Sequence, residues 1–564
     1  MTARVLPSRY SLLVDVGCLG VLLLASWKLV HGIEQVLDLG MWDEADYLRR
    51  GLMLSWSALP NAEWGPLYSI WYWALSRIWA DPVAIYYANH KLLLLLTVAG
   101  SYAFMRRMGA RPTLALLGSA IYLLSAAPHT LPRPTLLSLL VLLAAGLIAS
   151  FLKSMEGFWA VVAGGLLLAS FSRPEFFVAF LLATGVFVFL VGRKVLNEGR
   201  AALPRATVLV AGFGLTTLVL LLVLGNPFGN TSNRRFYAFC QHFAVNYVAR
   251  TQLPVDPWGE CEQVIHSAFG NVDSVGAALR SNPEEFLWHL GVNLKRYVVV
   301  SVGLFFEGYG GTSAVAGAWT VERVGRLLLL VAVGWQLVML AMRWRRFRAA
   351  LAEPRLQRLI GVLLLVELPI VLSAILIQPR VHYLIIQGVM IAAVLATLGS
   401  LLGTWDEREP AGRVLGVLFG LGLVVITPDL SLRASPGNTD EHLRMVRAIG
   451  ALGLTERLEP GKRLGMIEAQ GGYDAYLGRR YRRVYLNAGK ETFGEFLRKH
   501  DIGLILLDDA LRKHPRFARD AEFLAFQSDP EAFGFSMHPL PGKGKALAIP
   551  STWTTVSRAN SYSD

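Results

Sequence analysis

The sequence predicts a polytopic α-helical membrane protein, with about 11 transmembrane helices, interfacial helices in the first outer loop and a small C-terminal soluble α/β domain. Three observations predict this. Of the 564 residues, 54% are hydrophobic and only 17% are charged, a balance outside the range of ordinary soluble domains. Apolar stretches of the roughly 20 residues needed to cross a hydrocarbon layer recur up to residue 428. Beyond that point the composition turns polar, which divides the chain into a membrane domain, 1–428, and an extracytoplasmic domain, 429–564.

Charge sets the topology. The formal charge of +13 comes mostly from Lys and Arg in short loops between apolar runs, where they orient helices, so nucleic acid is not an expected partner. The basic start "MTARVLPSRY" precedes an apolar run without a small-residue cleavage site, so residues 11–31 read as an uncleaved first span. Further spans are expected near 83–105, 112–131, 134–152, 157–172, 174–192, 206–225, 323–342, 357–378, 382–402 and 412–428. With the N-terminus inside, Arg106, Arg107, Arg111, Lys153, Arg193, Lys194, Arg200, Arg205, the cluster "RWRRFRAALAEPRLQR", Arg408 and Arg413 all fall on the inside. Counting 295–306, "KRYVVVSVGLFF", as a span would reverse that cluster, so it reads as interfacial or re-entrant. The expected place is therefore a plasma (inner) membrane of bacterial type, crossed many times. Residues 32–82, 128–134, 226–322, 378–382 and the tail from 429 are exported.

The first outer loop is structured. In "DEADYLRRGLMLSW", Asp43 reads as an N-cap with Asp46 at the third helical position, and Leu48, Leu52, Ser55 and Trp56 follow at helical spacing. That describes an amphipathic helix lying on the membrane surface. "AEWGPLYSIWYWALSRIW" reads as a second interfacial helix, its Trp and Tyr at headgroup level and Glu63 at its mouth. In the tail, "RLGMIEA", "RRVYLN" and "DIGLILLDD" read as strands, "EHLRMVRAIGAL" and "ETFGEFLRKH" as helices, and "PGKGKALAI" as part of a hairpin.

Three cysteines, Cys18, Cys240 and Cys261, show no zinc-ligand spacing. Cys240 and Cys261 share an exported loop in which oxidation is permitted; spacing alone leaves their disulfide open. His242, His266 and His289 in that loop are too far apart for a tight metal set and read as structural.

Asp43 and Glu44 carry the first functional signal. Acids at a helix start complement its free N–H groups, but a pair between a span and an interfacial helix, with Glu63 in the same loop, offers three carboxylates for one surface pocket. One would take a proton from an acceptor hydroxyl. Glu44 and Glu63 would hold a divalent metal (Mg or Mn) or, with Tyr47 and Tyr68, orient the acceptor.

This loop, with "GPLYSIWYWAL" after the acidic pair, resembles the type-C-fold glycosyltransferases, nearest the branch of protein O-mannosyltransferases and the lipid A aminoarabinose transferase. The resemblance implies a membrane enzyme passing a sugar, with inversion, from a polyprenyl-phosphate donor to a lipid, glycan or protein acceptor outside the cytoplasmic membrane. It implies that Asp43 is the catalytic acid with Glu44 beside it. The chain departs from the pattern at "EWGPLYS", where many relatives carry a lysine and two prolines before the leucine. "QPRVHYLI" resembles the family's Arg-Tyr-Leu motif opening a late span, with Val381 and His382 between Arg380 and Tyr383. A donor phosphate needs cations, and Arg380 and His382 would supply forked and single donors.

Arg173 in "FSRPEFF" either faces the donor or pairs with Glu175, and His129 and Arg133 in "PHTLPRP" lie at the same level as secondary candidates. Asn89, His90, Lys91 and Glu367 lie in or near spans, where a proton path would use them. That feature would suit a transporter or flippase of lipid-linked saccharides, which would also show inverted repeats and polar groups at span centres. A non-catalytic envelope assembly protein would leave the Asp43–Glu44 pair without a purpose.

Overall fold

Proline opens many of the helices, at the first turn, where its missing N–H has no helical partner to lose: Pro66, Pro82, Pro112, Pro134, Pro283, Pro354 and Pro410 all begin one. The structure is a computed structural model that describes residues 9–55, 59–125, 133–229, 233–306, 331, 334–335, 337–339, 341–402, 410–427, 429, 440–486 and 491–554. In chain order its first helices are α1 (Arg9–Val30), α2 (Asp43–Leu52), α3 (Pro66–Leu75), α4 (Pro82–Arg107), α5 (Pro112–Leu124), α6 (Pro134–Ser150), α7 (Met155–Ser170), α8 (Phe176–Glu198) and α9 (Leu203–Leu224). Next come α10 (Arg234–Thr251), α11 (Cys261–Phe269), α12 (Val275–Ser281) and α13 (Pro283–Phe306). The chain forms two compact units. One holds Met1–Val30, Pro60–Leu67 and Lys91–Asp429; the other holds His31–Leu59, Tyr68–His90 and Leu430–Asp564.

Among the described residues, five helical stretches are long and apolar enough to cross a membrane: Leu12–Gln35, Pro82–Arg107, Phe176–Leu224, Pro354–Leu376 and Ile385–Leu402. Phe176–Leu224 comprises α8 and α9 joined by the 3-10 turn Gly199–Ala202. The expected spans at 112–131, 134–152, 157–172 and 412–428 form shorter apolar helices, and that near 323–342 lies largely outside the described residues. Exposed Val208, Leu215, Leu218 and Leu222 give α9 a surface suited to lipid rather than water. Small residues let the helices approach: a Cβ on Gly146 of α6 would lie 2.5 Å from the Phe104 ring of α4. Asp15 in α1 takes Arg106 in a two-pronged ion pair of 2.5 and 2.9 Å and accepts the Tyr102 hydroxyl at 2.6 Å. Residues 295–306 continue α13 without a break, so they are part of one helix starting at Pro283 and not a separate re-entrant element.

Helices α10 to α13 build a cap on an aromatic core of Phe239, Phe243, Phe269 and Phe286. Cys240 and Cys261 are disulfide-bonded across α10 and α11, with Cα atoms 5.5 Å apart. The cap is tied to the end of helix Pro354–Leu376, whose last carbonyls have no helical donors. The Asn293 amide donates to the carbonyls of Ile375 and Ile377 at 2.9 and 3.0 Å, and His289 Nε2 lies 3.1 Å from that of Leu376. These bonds fix the position from which residues 378–383 depart.

In the second unit, the tail forms a five-stranded sheet in the order β2-β1-β3-β5-β4. Strand β1 (Leu464–Ile467) runs parallel to β2 (Tyr481–Arg483) and β3 (Ile502–Leu507). The hairpin of β4 (Phe535–Pro539) and β5 (Ala546–Pro550) adds antiparallel to β3. Helix Glu441–Ala451 precedes the sheet, and helix Phe493–Lys499 opens with a Thr492/Glu495 capping box. The helices and the hairpin expected in the tail are present, as are the strands over "RLGMIEA" and "DIGLILLDD"; the strand expected over "RRVYLN" is short, Tyr481–Arg483, and leaves Val484, Tyr485 and Leu486 outside it. What the tail did not announce is that residues 31–59 and 68–90 of the first loop belong to the same unit.

The disulfide yields a first prediction. It closes a separation of 21 residues, which in the chain-entropy account is worth about 3 kcal/mol. Cys261→Ser should make the α10–α12 region susceptible to limited proteolysis at a temperature at which the oxidised protein resists it.

Candidate active site

The first-loop helix α2 differs from its expected form at its start and on its buried face. Trp42, not Asp43, is the N-cap, in a positive-φ conformation (φ 58°, ψ −115°), and no side chain caps the helix. The helix ends at Leu52, so Ser55 is not part of it, and Trp56 lies outside the described residues. Its buried face is wider than an interfacial stripe, taking in Glu44, Ala45, Tyr47, Leu48, Gly51 and Leu52. The cause is close packing on α3: a Cβ on Gly51 would lie 2.5 Å from Tyr72 Cβ and 2.8 Å from the Ser69 carbonyl oxygen. Protein, not lipid, covers this face.

The two adjacent acids part company. Glu44 is 2% exposed and accepts hydrogen bonds from the hydroxyls of Tyr68, at 2.7 Å, and Tyr72. Asn89 donates to both hydroxyls at 2.8 Å, and its own carbonyl accepts from the Trp71 indole at 2.8 Å. Each hydroxyl thus donates once and accepts once, a closed buried network. Tyr47 packs edge-on to Tyr68 at 5.1 Å. Asp43 is exposed, with no hydrogen bond or ion pair among the described residues. Asp46 instead pairs with Arg49 at 2.6 Å, and Arg49 also reaches Asp474 at 3.4 Å.

Glu63, in the first unit, is 4% exposed within the 3-10 turn Ala62–Trp64; its carbonyl accepts from Arg234, whose guanidinium stacks 3.7 Å over Trp64. The donor set does not fit the expected metal: Glu44 already binds two hydroxyls, and no group of three or more His, Cys, Asp or Glu among the described residues could hold an ion.

The first unit also holds a cationic cluster. Arg380 caps the 3-10 turn Val381–Tyr383, donates from Nε to Gln378 at 3.2 Å and stacks 5.3 Å over Trp258. Arg173 pairs with Glu175 at 2.5 Å and lies 4.6 Å over the Tyr383 ring, so it both satisfies its neighbour and faces the turn. Arg133 keeps a buried Nε without a hydrogen-bond partner among the described residues. Burial first, then the charges of Arg133, Arg173 and Arg380, hold His382 well below the usual histidine range. His129 lies outside the described residues.

Three residues join this cluster without having been singled out for it. His242, on α10, is buried, lies edge-on to Trp258 at 5.4 Å and keeps an unpartnered Nδ1. Burial, with Arg380 second, pushes His242 down to about 3. Gln378 and Trp258 complete the group, and neither carries a local sequence signal that separates it from loop background.

No family model and no curated protein matches this chain. Among solved structures it is similar to the archaeal oligosaccharyltransferase AglB from Archaeoglobus fulgidus, in complex with an inhibitory peptide and a dolichol phosphate. Identity is 13% and the TM-score 0.42, over 97% of this chain and 75% of that one. It is similar also to ArnT from Cupriavidus metallidurans bound to undecaprenyl phosphate, at 12% identity and TM-score 0.33, over 96% and 97% of the two chains. The apo form of that protein matches at 12% and 0.30, over 95% and 97%. Both are glycosyltransferases of the type-C fold. The roles assigned below rest on this chain's own side chains.

Two predictions follow from these environments. Glu44→Leu strands two buried tyrosine hydroxyls and should lower unfolding stability by about 3 kcal/mol, whereas Asp43→Asn should leave the thermal midpoint unchanged; differential scanning fluorimetry in detergent compares them. For pH, burial holds His242 at about 3 and His289 at about 4, below their ordinary 6.5. The unfolded chain therefore binds protons that the folded chain refuses. Stability is full above pH 6.5 and is lost as pH falls toward 4 and 3, by at most about 1.4 kcal/mol per pH unit for each ring. His289→Gln should flatten that decline in a midpoint series from pH 7.5 to 4.5.

Proposed function

We propose that this chain is an inverting glycosyltransferase that moves a sugar from a polyprenyl-phosphate donor to an acceptor at the outer face of the cytoplasmic membrane. The observation that carries the reading is the cationic cluster. Arg133 and Arg380 have no carboxylate partner among the described residues, and with Arg173 they surround a half-buried His382 that desolvation and their charges hold well below the usual histidine range. Guanidinium groups half-withdrawn from water and without a carboxylate partner suit an anion, and a lipid-borne phosphate is an anion of the right kind.

The chemistry matches the inventory. Asp43 accepts the proton of the acceptor nucleophile as it attacks the anomeric carbon from the side opposite the phosphate. The bond from that carbon to the phosphate oxygen breaks, its electron pair stays on oxygen, and configuration inverts in one displacement. The phosphate goes from a singly charged diester to a monoester approaching two charges. For that charge the first unit offers Arg380 and Arg133 as cations, with His382 and His242 as neutral hydrogen-bonding groups. Asp43 suits the base role because its neighbours are occupied: Glu44 with tyrosine hydroxyls and Asp46 with Arg49. No metal enters the scheme. The positive-inside charge pattern supports an extracytoplasmic site and tail.

A second reading, a transporter or flippase of lipid-linked saccharides, draws on Glu367, whose Oε1 is buried in helix Pro354–Leu376 without a hydrogen-bond partner among the described residues. Purified protein in detergent, offered a panel of polyprenyl-phosphate sugars, separates the two. Turnover of one donor is expected, with kcat lowered by at least about 100-fold in Asp43→Asn and donor binding weakened by about 10- to 100-fold in Arg380→Ala. Wild-type behaviour in both variants would overturn the enzyme reading. Donor flux across liposomes dependent on Glu367, without turnover, would establish the transporter.

A further inference from the structure

We infer that the loop at residues 468–474 of the C-terminal domain is the positioning element for Asp43: it imposes the backbone conformation of Trp42 that leaves the Asp43 carboxylate clear of partners. This rests on the base role given to Asp43 above.

Strain is the first observation. Trp42, at φ 58° and ψ −115°, occupies a region that residues with a Cβ avoid, at a cost of roughly 1–3 kcal/mol, and such a conformation persists only where its surroundings over-determine it. Those surroundings come from the tail. The Trp42 N–H donates to the Gly471 carbonyl at 2.6 Å, while the Trp42 carbonyl accepts the first helical bond of α2 from Asp46 at 2.9 Å. The peptide groups on both sides of the Trp42 Cα are thereby held, and Asp43 is the next residue.

Space is the second. Gly471 has φ +73°, and a Cβ there would lie 2.7 Å from the Trp42 ring. A Cβ on Gly472 would lie 2.6 Å from Ala45 Cβ and 2.9 Å from Met41 Sδ. Two successive glycines thus admit the chain on both sides of Asp43. The loop is itself rigid: the fully buried Glu468 carboxylate accepts from the N–H groups of Gly471 at 2.7 Å, Gly472 at 2.6 Å and Tyr473 at 3.2 Å. Upstream, Asp38 accepts from the N–H groups of His442 at 2.8 Å and Leu443 at 2.9 Å, and the Tyr476 hydroxyl donates to the Gly40 carbonyl at 2.6 Å.

Topology is the third. Strand β1 lies between two parallel neighbours, and the loop leaves its carboxyl end, the place where open α/β sheets hold ligands. Here residues 38–46 of the chain occupy it.

The test is Gly472→Ala, alone and with Ala45→Gly, which removes the nearest atom the new methyl would strike and leaves the Met41 Sδ, the end of a flexible side chain, to move aside. Hydrogen exchange on the full chain in detergent reads the peptide spanning 38–46, and donor turnover is followed with the polyprenyl-phosphate sugar used by the wild type. Gly472→Ala should speed exchange of that peptide at least fivefold and lower kcat at least tenfold with KM within twofold. Ala45→Gly in the same chain should restore most of both. Unchanged exchange in folded Gly472→Ala would overturn the clamp, and faster exchange with unchanged kcat would overturn its role in positioning. If the wild type turns over no donor, the glycosyltransferase reading fails, and the exchange series alone decides whether the loop imposes the Trp42 conformation.

Discussion

A carboxylate that is to take a proton must be held still without being neutralised, and the second unit meets that constraint for Asp43 in the role proposed for it. Holding a loop normally means hydrogen-bonding it, and hydrogen bonds to the reactive carboxylate itself would draw off its basicity. The chain separates the two tasks by residue. Glu44 anchors α2 through Tyr68 and Tyr72, Asp46 pairs with Arg49, and Asp38 caps helix Glu441–Ala451. Every acid around Asp43 is engaged, and Asp43 is not.

The cationic cluster follows a complementary logic. If the cluster takes the donor phosphate as proposed, its histidines raise the question of how much charge they bring. Desolvation first and then three arginines answer it for His382, as burial and Arg380 do for His242: both rings are held below their ordinary value, so the guanidinium groups carry the charge. Arg173 is partly offset by Glu175, leaving Arg133 and Arg380 as the uncompensated pair, close to the two charges of a phosphate monoester product. In the proposed reaction, matching cation to product charge would stabilise the leaving group as it departs without binding the singly charged donor more tightly than turnover needs.

Much of this was legible in the sequence, and the remainder was hidden for identifiable reasons. Apolar length and the strand and helix periods of the tail are local signals, and apolar helices and most of the tail's elements stand where those signals put them, although only five helical stretches among the described residues are long and apolar enough to cross a membrane. Asp43, Glu44, Arg380 and His382 stood out as candidates through motif and loop position. The division of labour between Asp43 and Glu44 was not, because it depends on Tyr72 and Asn89, which lie on other helices. Asn89 had been noticed only as a polar residue in a span. The N-cap was misplaced by one residue because Trp42 at positive φ violates the local propensity that makes Asp43 look like a cap; the violation is sustained by Gly471, more than 400 residues away.

That separation has a consequence for assembly. The contacts that shape residues 38–46 span as many as 436 positions, from Gly40 to Tyr476, so the first outer loop emerges long before its partners in the tail are synthesised. Until then the Trp42 conformation has no Gly471 carbonyl to hold it, and a strained backbone without its restraint relaxes. The local network of Glu44, Tyr68, Tyr72 and Asn89 needs only residues up to 89 and can form early. The loop therefore completes in two stages: α2 docks on α3 and α4 from local contacts, and the Asp43 approach is set only when the C-terminal sheet has closed. Activity conditional on a finished chain is then a property of the fold, since the residue proposed to do the chemistry is near one end and the restraint that presents it is near the other.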